Sequence, residues 1–312
     1  MQGYNASVFA YGATGAGKTY TMLGTEDEPG IMMLSIDELF KQIEVFSQQR
    51  DYKLKVSYVE VYNENIKDLL VDRDEYLELR EDTVKGVCVA GVNEIMTTNV
   101  EEIVKYIRQG NRLRTKERTD ANETSSRSHA VLQITVEHKD KAHGINAEIN
   151  IAKLSLIDLA GSERASNTNN RGLRLIEGAN INRSLLALGN CINALCELTK
   201  QGAVQQKNTH IPYRDSKLTR LLKDSLGGNC RTVMITNISP AFAAYEDTLN
   251  TLKYADRAKQ IKTVVKRNVL NVEFHISNYT KIINQLREEI VSLRTQLGAS
   301  SNVGAPRQSL GK

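Results

Sequence analysis

Tryptophan is absent from this 312-residue sequence, and aromatic residues make up only 5% of it. That shortage removes the interleaved basic and aromatic residues on which single-stranded nucleic acid stacks. Cysteine is scarce as well. Cys88, Cys191, Cys196 and Cys230 are scattered with no C-x-x-C among them, which argues against a disulfide framework or a zinc site and for a reducing cytosol. No apolar run approaches the roughly 18 residues that cross a bilayer. The start, Met1 to Asn5, lacks the basic and apolar regions of a signal peptide. Excess charge is missing too: 41 Lys and Arg stand against 37 Asp and Glu, a net +4, so binding to a polyanion has to come from local clusters. The guanine-reading N-K-x-D is absent, and the nearest string, Asn65-Ile66-Lys67-Asp68, has the wrong order. The expectation is a soluble intracellular protein with no membrane and no nucleic-acid partner. Its 40% hydrophobic content is enough for one large core or two small ones.

Against these absences stands Gly12-Ala13-Thr14-Gly15-Ala16-Gly17-Lys18-Thr19. It follows the apolar run Ser7 to Tyr11, read as a strand, and precedes Tyr20-Thr21-Met22, which can open a helix. This is G-x-x-x-x-G-K-[ST] in its required context. Glycines let backbone N–H groups curl around phosphate oxygens, and the helix N-terminus adds partial positive charge there. Lys18 offers a point charge to the β- and γ-phosphates, and Thr19 a hydroxyl to Mg²⁺. The chain binds a nucleoside triphosphate or descends from one that did.

Further along, apolar spacing predicts helices over 31–46, 63–70, 99–114, 176–198, 215–226 and 245–262. Alternation or apolar runs predict strands over 53–62, 129–138, 149–159 and 232–238, the last two buried. Interleaved strands and helices argue α/β with a largely internal mixed sheet. From Val269 the pattern changes: Val269, Val272, Ile276, Tyr279, Ile283, Leu286, Ile290, Leu293 and Leu297 step by three and four, the seam of a coiled coil. Residues 298–312 are small and polar and read as a disordered tail.

Three more segments suit a triphosphatase. Asn122-Glu123-Thr124-Ser125-Ser126-Arg127-Ser128-His129 is dense in hydroxyls that can complete Mg²⁺ coordination and hold an attacking water. Asp158-Leu159-Ala160-Gly161-Ser162-Glu163 puts a carboxylate at a strand's C-terminal end, where an acid organising Mg²⁺ belongs. A glycine three residues on lets a backbone N–H approach the γ-phosphate. With the helix Ala179-Asn180-Ile181-Asn182-Arg183-Ser184-Leu185, these elements resemble the nucleotide site of the kinesin motor domain over residues 1–268. Ala13 and Val269-Leu270-Asn271-Val272 look most like the kinesin-8 branch.

The resemblance implies the phosphate-loop kinesin fold, a central mixed sheet flanked by helices, followed by a coiled-coil helix. It divides the chain into a motor domain (1–258), a neck linker (259–268), a coiled coil (269–297) and the tail. It implies ATP and Mg²⁺ as ligands, with Gly12 to Thr19 around the phosphates and Thr19, Ser126 and Asp158 at the metal. Ser125 and Ser126 position water, Gly161 senses the γ-phosphate, and Arg127 with Glu163 forms the ion pair that closes the site. Microtubules are the implied partner, met by Arg171, Arg174, Arg214, Lys217, Arg220 and Lys223. Arg108, Arg112, Arg114, Lys116 and Arg118 make a second, weaker basic cluster. The helix 176–198 acts as a relay to the track surface. The order of motor, linker and seam resembles plus-end-directed motors, homodimeric through 269–297 and working on the cytoplasmic cytoskeleton, with shortening of filament ends a kinesin-8 trait. Members of the family carry strands ahead of the phosphate loop, which here begins at position 12. The expectation is therefore an unpaired sheet edge and a fragment of a motor, the alternative being a defective motor that only tethers.

Overall fold

Strands and helices alternate along the chain in the computed structural model, which describes residues 2–73, 75–82, 86–116, 126–141, 148–163, 173–200, 210–270 and 283–294. The first half holds β1 (Ala6–Tyr11), α1 (Lys18–Leu23), α2 (Ile31–Phe46), β2 (Arg50–Tyr62) and β3 (Asn65–Asp68). A small hairpin of β4 (Glu78–Asp82) and β5 (Gly86–Ala90) follows, then β6 (Ile95–Met96) and α3 (Val100–Lys116). The second half holds β7 (His129–Asp140), β8 (Ile149–Asp158), α4 (Leu173–Lys200), α5 (Lys217–Leu221) and α6 (Lys223–Gly227). It ends with β9 (Arg231–Thr236), α7 (Tyr245–Lys259) and β10 (Val269–Leu270).

The main sheet runs β3-β2-β7-β8-β1-β9, with β6 on β2 and β10 on β8. β1 is parallel to β8 and β9, whereas β2, β7 and β8 run antiparallel in turn. Successive side chains leave a strand on opposite faces, so each strand feeds two cores. Ala10, Val56, Tyr58, Leu132 and Leu156 pack under Met22 of α1, Met32 and Ile36 of α2, and Ile103 and Ile107 of α3. Phe9, Tyr11, Val61, Val131 and Ile157 face Leu188, Ile192 and Leu195 of α4, with Leu218 of α5. The result is a three-layer α/β domain.

Four expectations change. Residues 63–70 form a hairpin, not a helix. Asn63 and Glu64 take φ of +50° and +59°, and Tyr62 then pairs with Asn65 across the turn. The helix expected over 215–226 is broken: Ser216 accepts the N–H of Thr219 at 3.0 Å to start α5, and Leu222 leaves helical geometry before α6. β9 is an edge strand whose first three residues are exposed, although its apolar run predicts burial. Val269 and Leu270 are strand, not the first turn of a coiled coil. β10 takes the lane beside β8 that β1, which begins opposite Leu154, leaves open. Of the seam, Val272, Ile276, Tyr279 and Leu297 lie outside the described residues. Ile283, Leu286, Ile290 and Leu293 lie exposed on a helix over 283–294.

Candidate active site

Three strand ends meet at the site. Ala10 of β1 and Ala130 of β7 both stand opposite Asp158 of β8. One end of the sheet therefore delivers the glycine loop, Ser126 to His129, and Asp158 to Glu163 to the same place. The loop leaves β1 through Gly12, at φ +157°, where a Cβ would strike the carbonyl of Asn237. It enters α1 through Gly17 in the left-handed conformation, and a Cβ on Gly15 or Gly17 would meet nothing within 4 Å. The space over the loop is open to a ligand.

Lys18 is only 6% exposed, and its Nζ donates to the Ala13 carbonyl at 2.9 Å. Burial pushes its pKa down, against the pull of Glu163 and Asp158. A phosphate over the loop would add opposite charge beside this desolvated ammonium. Asp158, 1% exposed, accepts the Thr19 hydroxyl at 2.9 Å on Oδ2, while Oδ1 is buried without a hydrogen-bond partner. A carboxylate oxygen with spare lone pairs beside a hydroxyl is the hard-oxygen chemistry that Mg²⁺ and its waters require. The donor set fits that ion.

The third segment folds onto the loop. Gly161 donates its N–H to the Ser126 carbonyl at 2.8 Å, and Ser162 to the Gly12 carbonyl at 3.0 Å. A Cβ on Gly161 would strike both the Thr14 hydroxyl and the Glu163 carboxylate. Glu163 accepts from Thr14 twice, at 2.8 Å from the N–H and 2.5 Å from the hydroxyl. The structure thus brings Gly12 to Thr19, Ser126, Asp158, Gly161 and Glu163 together; Arg127 follows Ser126 in the chain, and the Glu163 carboxylate is bonded to Thr14. Ser125 and Arg171 lie outside the described residues, and Arg174 lies in the first turn of α4.

Residues 1–261 match the kinesin motor domain model. The chain belongs to the kinesin family. KIF19 of Xenopus laevis is 58% identical over 297 residues, covering 95% of this chain and 29% of that protein. KIF18B of Gallus gallus is 56% identical over 299 residues, with 96% and 37% covered, and KIF18A of Mus musculus 54%, with 96% and 33%. These relatives place it on the kinesin-8 branch. The chain spans about a third of their length. Among solved structures, a two-heads-bound KIF14 dimer with AMP-PNP in complex with a microtubule superposes with a TM-score of 0.78 at 41% identity, covering 85% of this chain and 74% of that one. A fast kinesin gives 0.77 at 41%, covering 86% and 74%.

The kinesin site also contains residues to which motif reading gave no part in it. Arg114 belongs to no exposed basic cluster: it is 3% exposed and ties three segments together. It donates to Asp158 at 2.9 Å, to the Ser128 hydroxyl at 3.0 Å and to the Ser128 carbonyl at 2.7 Å. Its position was legible, because it falls on the inward stripe of α3 at steps of four, three and four from Ile103 through Ile107 and Gly110. His129 accepts the Ala160 N–H on Nδ1 at 3.0 Å, so its proton sits on Nε2, facing Ser184 Oγ of α4 at 2.9 Å. Burial, with Arg114 and Lys18 nearby, lowers its pKa to about 3. It is a neutral strut between the site and α4.

From there α4 reaches the end of the kinesin head. Gly189 lies under the Tyr254 ring of α7, Asn193 accepts from Arg257 at 2.9 Å, and Cys196 Sγ donates to Gln260 at 3.3 Å. The chain beyond α7 is held down. Lys266 donates its N–H to Asn229 at 2.6 Å, Asn268 donates its N–H to the Gly3 carbonyl at 2.8 Å, and Ile151 donates to the Asn268 carbonyl at 3.0 Å. Arg214, Lys217, Arg220 and Lys223 gather on and beside α5 and α6, with Arg214 exposed and the others half-buried.

Proposed function

We propose that this chain is the head of an ATP-hydrolysing, microtubule-stimulated motor, and the observation that carries it is the pair of buried charges, Lys18 and Asp158, with Thr19 bonded to Asp158 between them, under an open glycine loop. In this reading Gly12 to Thr19 wrap the phosphates, and Lys18 pairs with their β- and γ-oxygens. Thr19, Ser126 and Asp158 would hold Mg²⁺ and its waters, and the ion when bound would neutralise charge on the phosphate oxygens. Ser125 and Ser126 position the attacking water, and Gly161 turns its N–H to the γ-phosphate. Glu163 exchanges Thr14 for Arg127 as the two loops close, which makes hydrolysis conditional on closure.

α4 then carries the change to the linker through Gly189, Asn193 and Cys196. Arg171, Arg174, Arg214, Lys217, Arg220 and Lys223 meet the acidic filament, acting through salt-sensitive attraction. The KIF14 neighbour carries AMP-PNP and sits on a microtubule, which supports both the nucleotide and the track. The order of head, linker and apolar seam supports plus-end direction and pairing of two heads through 269–297. The kinesin-8 branch extends the proposal to shortening of filament ends and to the microtubule cytoskeleton of the cytoplasm as the place of action.

The test is phosphate release with and without microtubules. Stimulated release should disappear in Lys18→Ala, and Glu163→Ala should keep nucleotide binding while losing turnover. Filament binding without stimulated, Lys18-dependent release would make the chain a tether and overturn the motor reading.

A further inference from the structure

The cations assigned to the filament already have acidic company. The β4–β5 hairpin packs on α5 through Leu79, Val87 and Val89 against Leu218, Leu221 and Leu222. That apolar contact fixes the hairpin's acidic side chains over the basic surface. Glu81 accepts from Lys223 Nζ at 2.7 Å, and Glu78 lies 3.7 Å from Lys217 Nζ. Arg214 and Arg220 add to the field at Glu81, and together with Lys223 they hold its carboxyl below the usual carboxylate range. The backbone N–H of Lys217 donates to Glu64 at 2.7 Å from the left-handed turn after β2, which fixes the start of α5 while leaving the ammonium to Glu78. Asp215 and Asp224 are the acids on the basic segment itself, and Asp224 approaches Gly86 of the hairpin.

We propose that the β4–β5 hairpin is an internal counter-ion for the filament-binding surface, so that an acidic polymer binds by displacing Glu81 and Glu78 from Lys223 and Lys217. This rests on the filament reading above and adds how that surface is tuned. A cation that already has a carboxylate partner gains less from a second one, because each new contact must replace an existing one. The hairpin therefore holds filament affinity below what four bare cations would give, and it gives the head a short dwell. The apolar contacts under the hairpin let the acids be displaced without the hairpin itself moving. Glu81 dominates because its pair is the shorter one, and both members lie open enough for a partner to compete.

The experiment uses the full chain with Glu81→Gln, Lys223→Gln and the double variant, measured by co-sedimentation with microtubules. Glutamine keeps the shape of Glu81 and removes its charge, and at position 223 it removes the charge and shortens the side chain. Glu81→Gln should lower the dissociation constant about two- to five-fold, the range of one exposed pair. In the Lys223→Gln background the same change should have little effect. No gain in the single variant, or an undiminished gain without Lys223, overturns the counter-ion. If the parent chain does not bind microtubules at all, the filament reading fails, and the counter-ion is read instead on immobilised polyglutamate. There Glu81→Gln should elute at higher salt than the parent only while Lys223 is present, and co-elution would sink the proposal.

Discussion

Arg114 and Asp158 share a nearly dry position with Glu60, whose carboxylate lies 3.9 Å from the arginine. Taking one member from such a group strands the other charge, a loss of about 3–5 kcal/mol. Site and core therefore fail together at this point. His129 gives the same junction a pH signature. In the unfolded chain its imidazole titrates at about 6.5, whereas in the fold its pKa is lowered to about 3. Between those values the unfolded chain holds the extra proton, so the contribution is full above the upper value and is lost as pH falls toward the lower, by up to about 1.4 kcal/mol per pH unit. Urea unfolding between about pH 7 and pH 5 should show the native chain losing stability faster than His129→Gln. Parallel slopes would remove His129 as the cause. The glycine loop and the D-x-x-G acid were legible because their chemistry demands those residue types in that spacing. His129 and Ser184 were not, since nothing in a strand's first residue or a helix's serine says that they face each other across 55 positions.

Among the elements, α4 and α7 depend on one missing side chain. Any Cβ at Gly189 collides with Tyr254, whose ring also lies 5.3 Å from that of Tyr11, next to Gly12 of the nucleotide loop. Gly189→Val should force α7 outward, cost about 1–3 kcal/mol through overpacking, and free the linker. A spin label near Lys266 should become mobile in that variant, and an unchanged spectrum would disconnect the relay from the linker. Helix α2 was legible to the residue, because its apolar spacing runs unbroken from Ile31 to Phe46. Residues 63–70 misled because Leu69 and Leu70 complete a helical spacing that left-handed backbone at Asn63 and Glu64 forbids. At Leu222 the backbone leaves helical geometry at φ −88° and ψ 6°, and no glycine or proline marks the place in the sequence, since Leu218 and Leu222 keep the i, i+4 spacing of a continuous helix face.

For the whole molecule, what decides behaviour is which surfaces are covered. Val233 is 55% exposed on β9, which pairs with β1 alone among the described residues. An apolar run says what a strand can bury, not whether the neighbouring lane is filled, so this exposure could not be read from residue types. The seam of Ile283, Leu286, Ile290 and Leu293 is exposed as well, and pairing of two copies should cover it. Ending the chain at Leu270 should convert a dimer into a monomer in sedimentation velocity, and an identical profile would dissolve the dimer reading. Leu270 is also where tension from anything attached beyond it enters the head. β10 contributes only two residues, antiparallel to β8, with Asn268 and then Lys266 bonded behind them. A pull on the following chain loads these bonds one after another, as in peeling tape, so the junction yields stepwise at low force while the sheet beneath, loaded along its strands, stays intact.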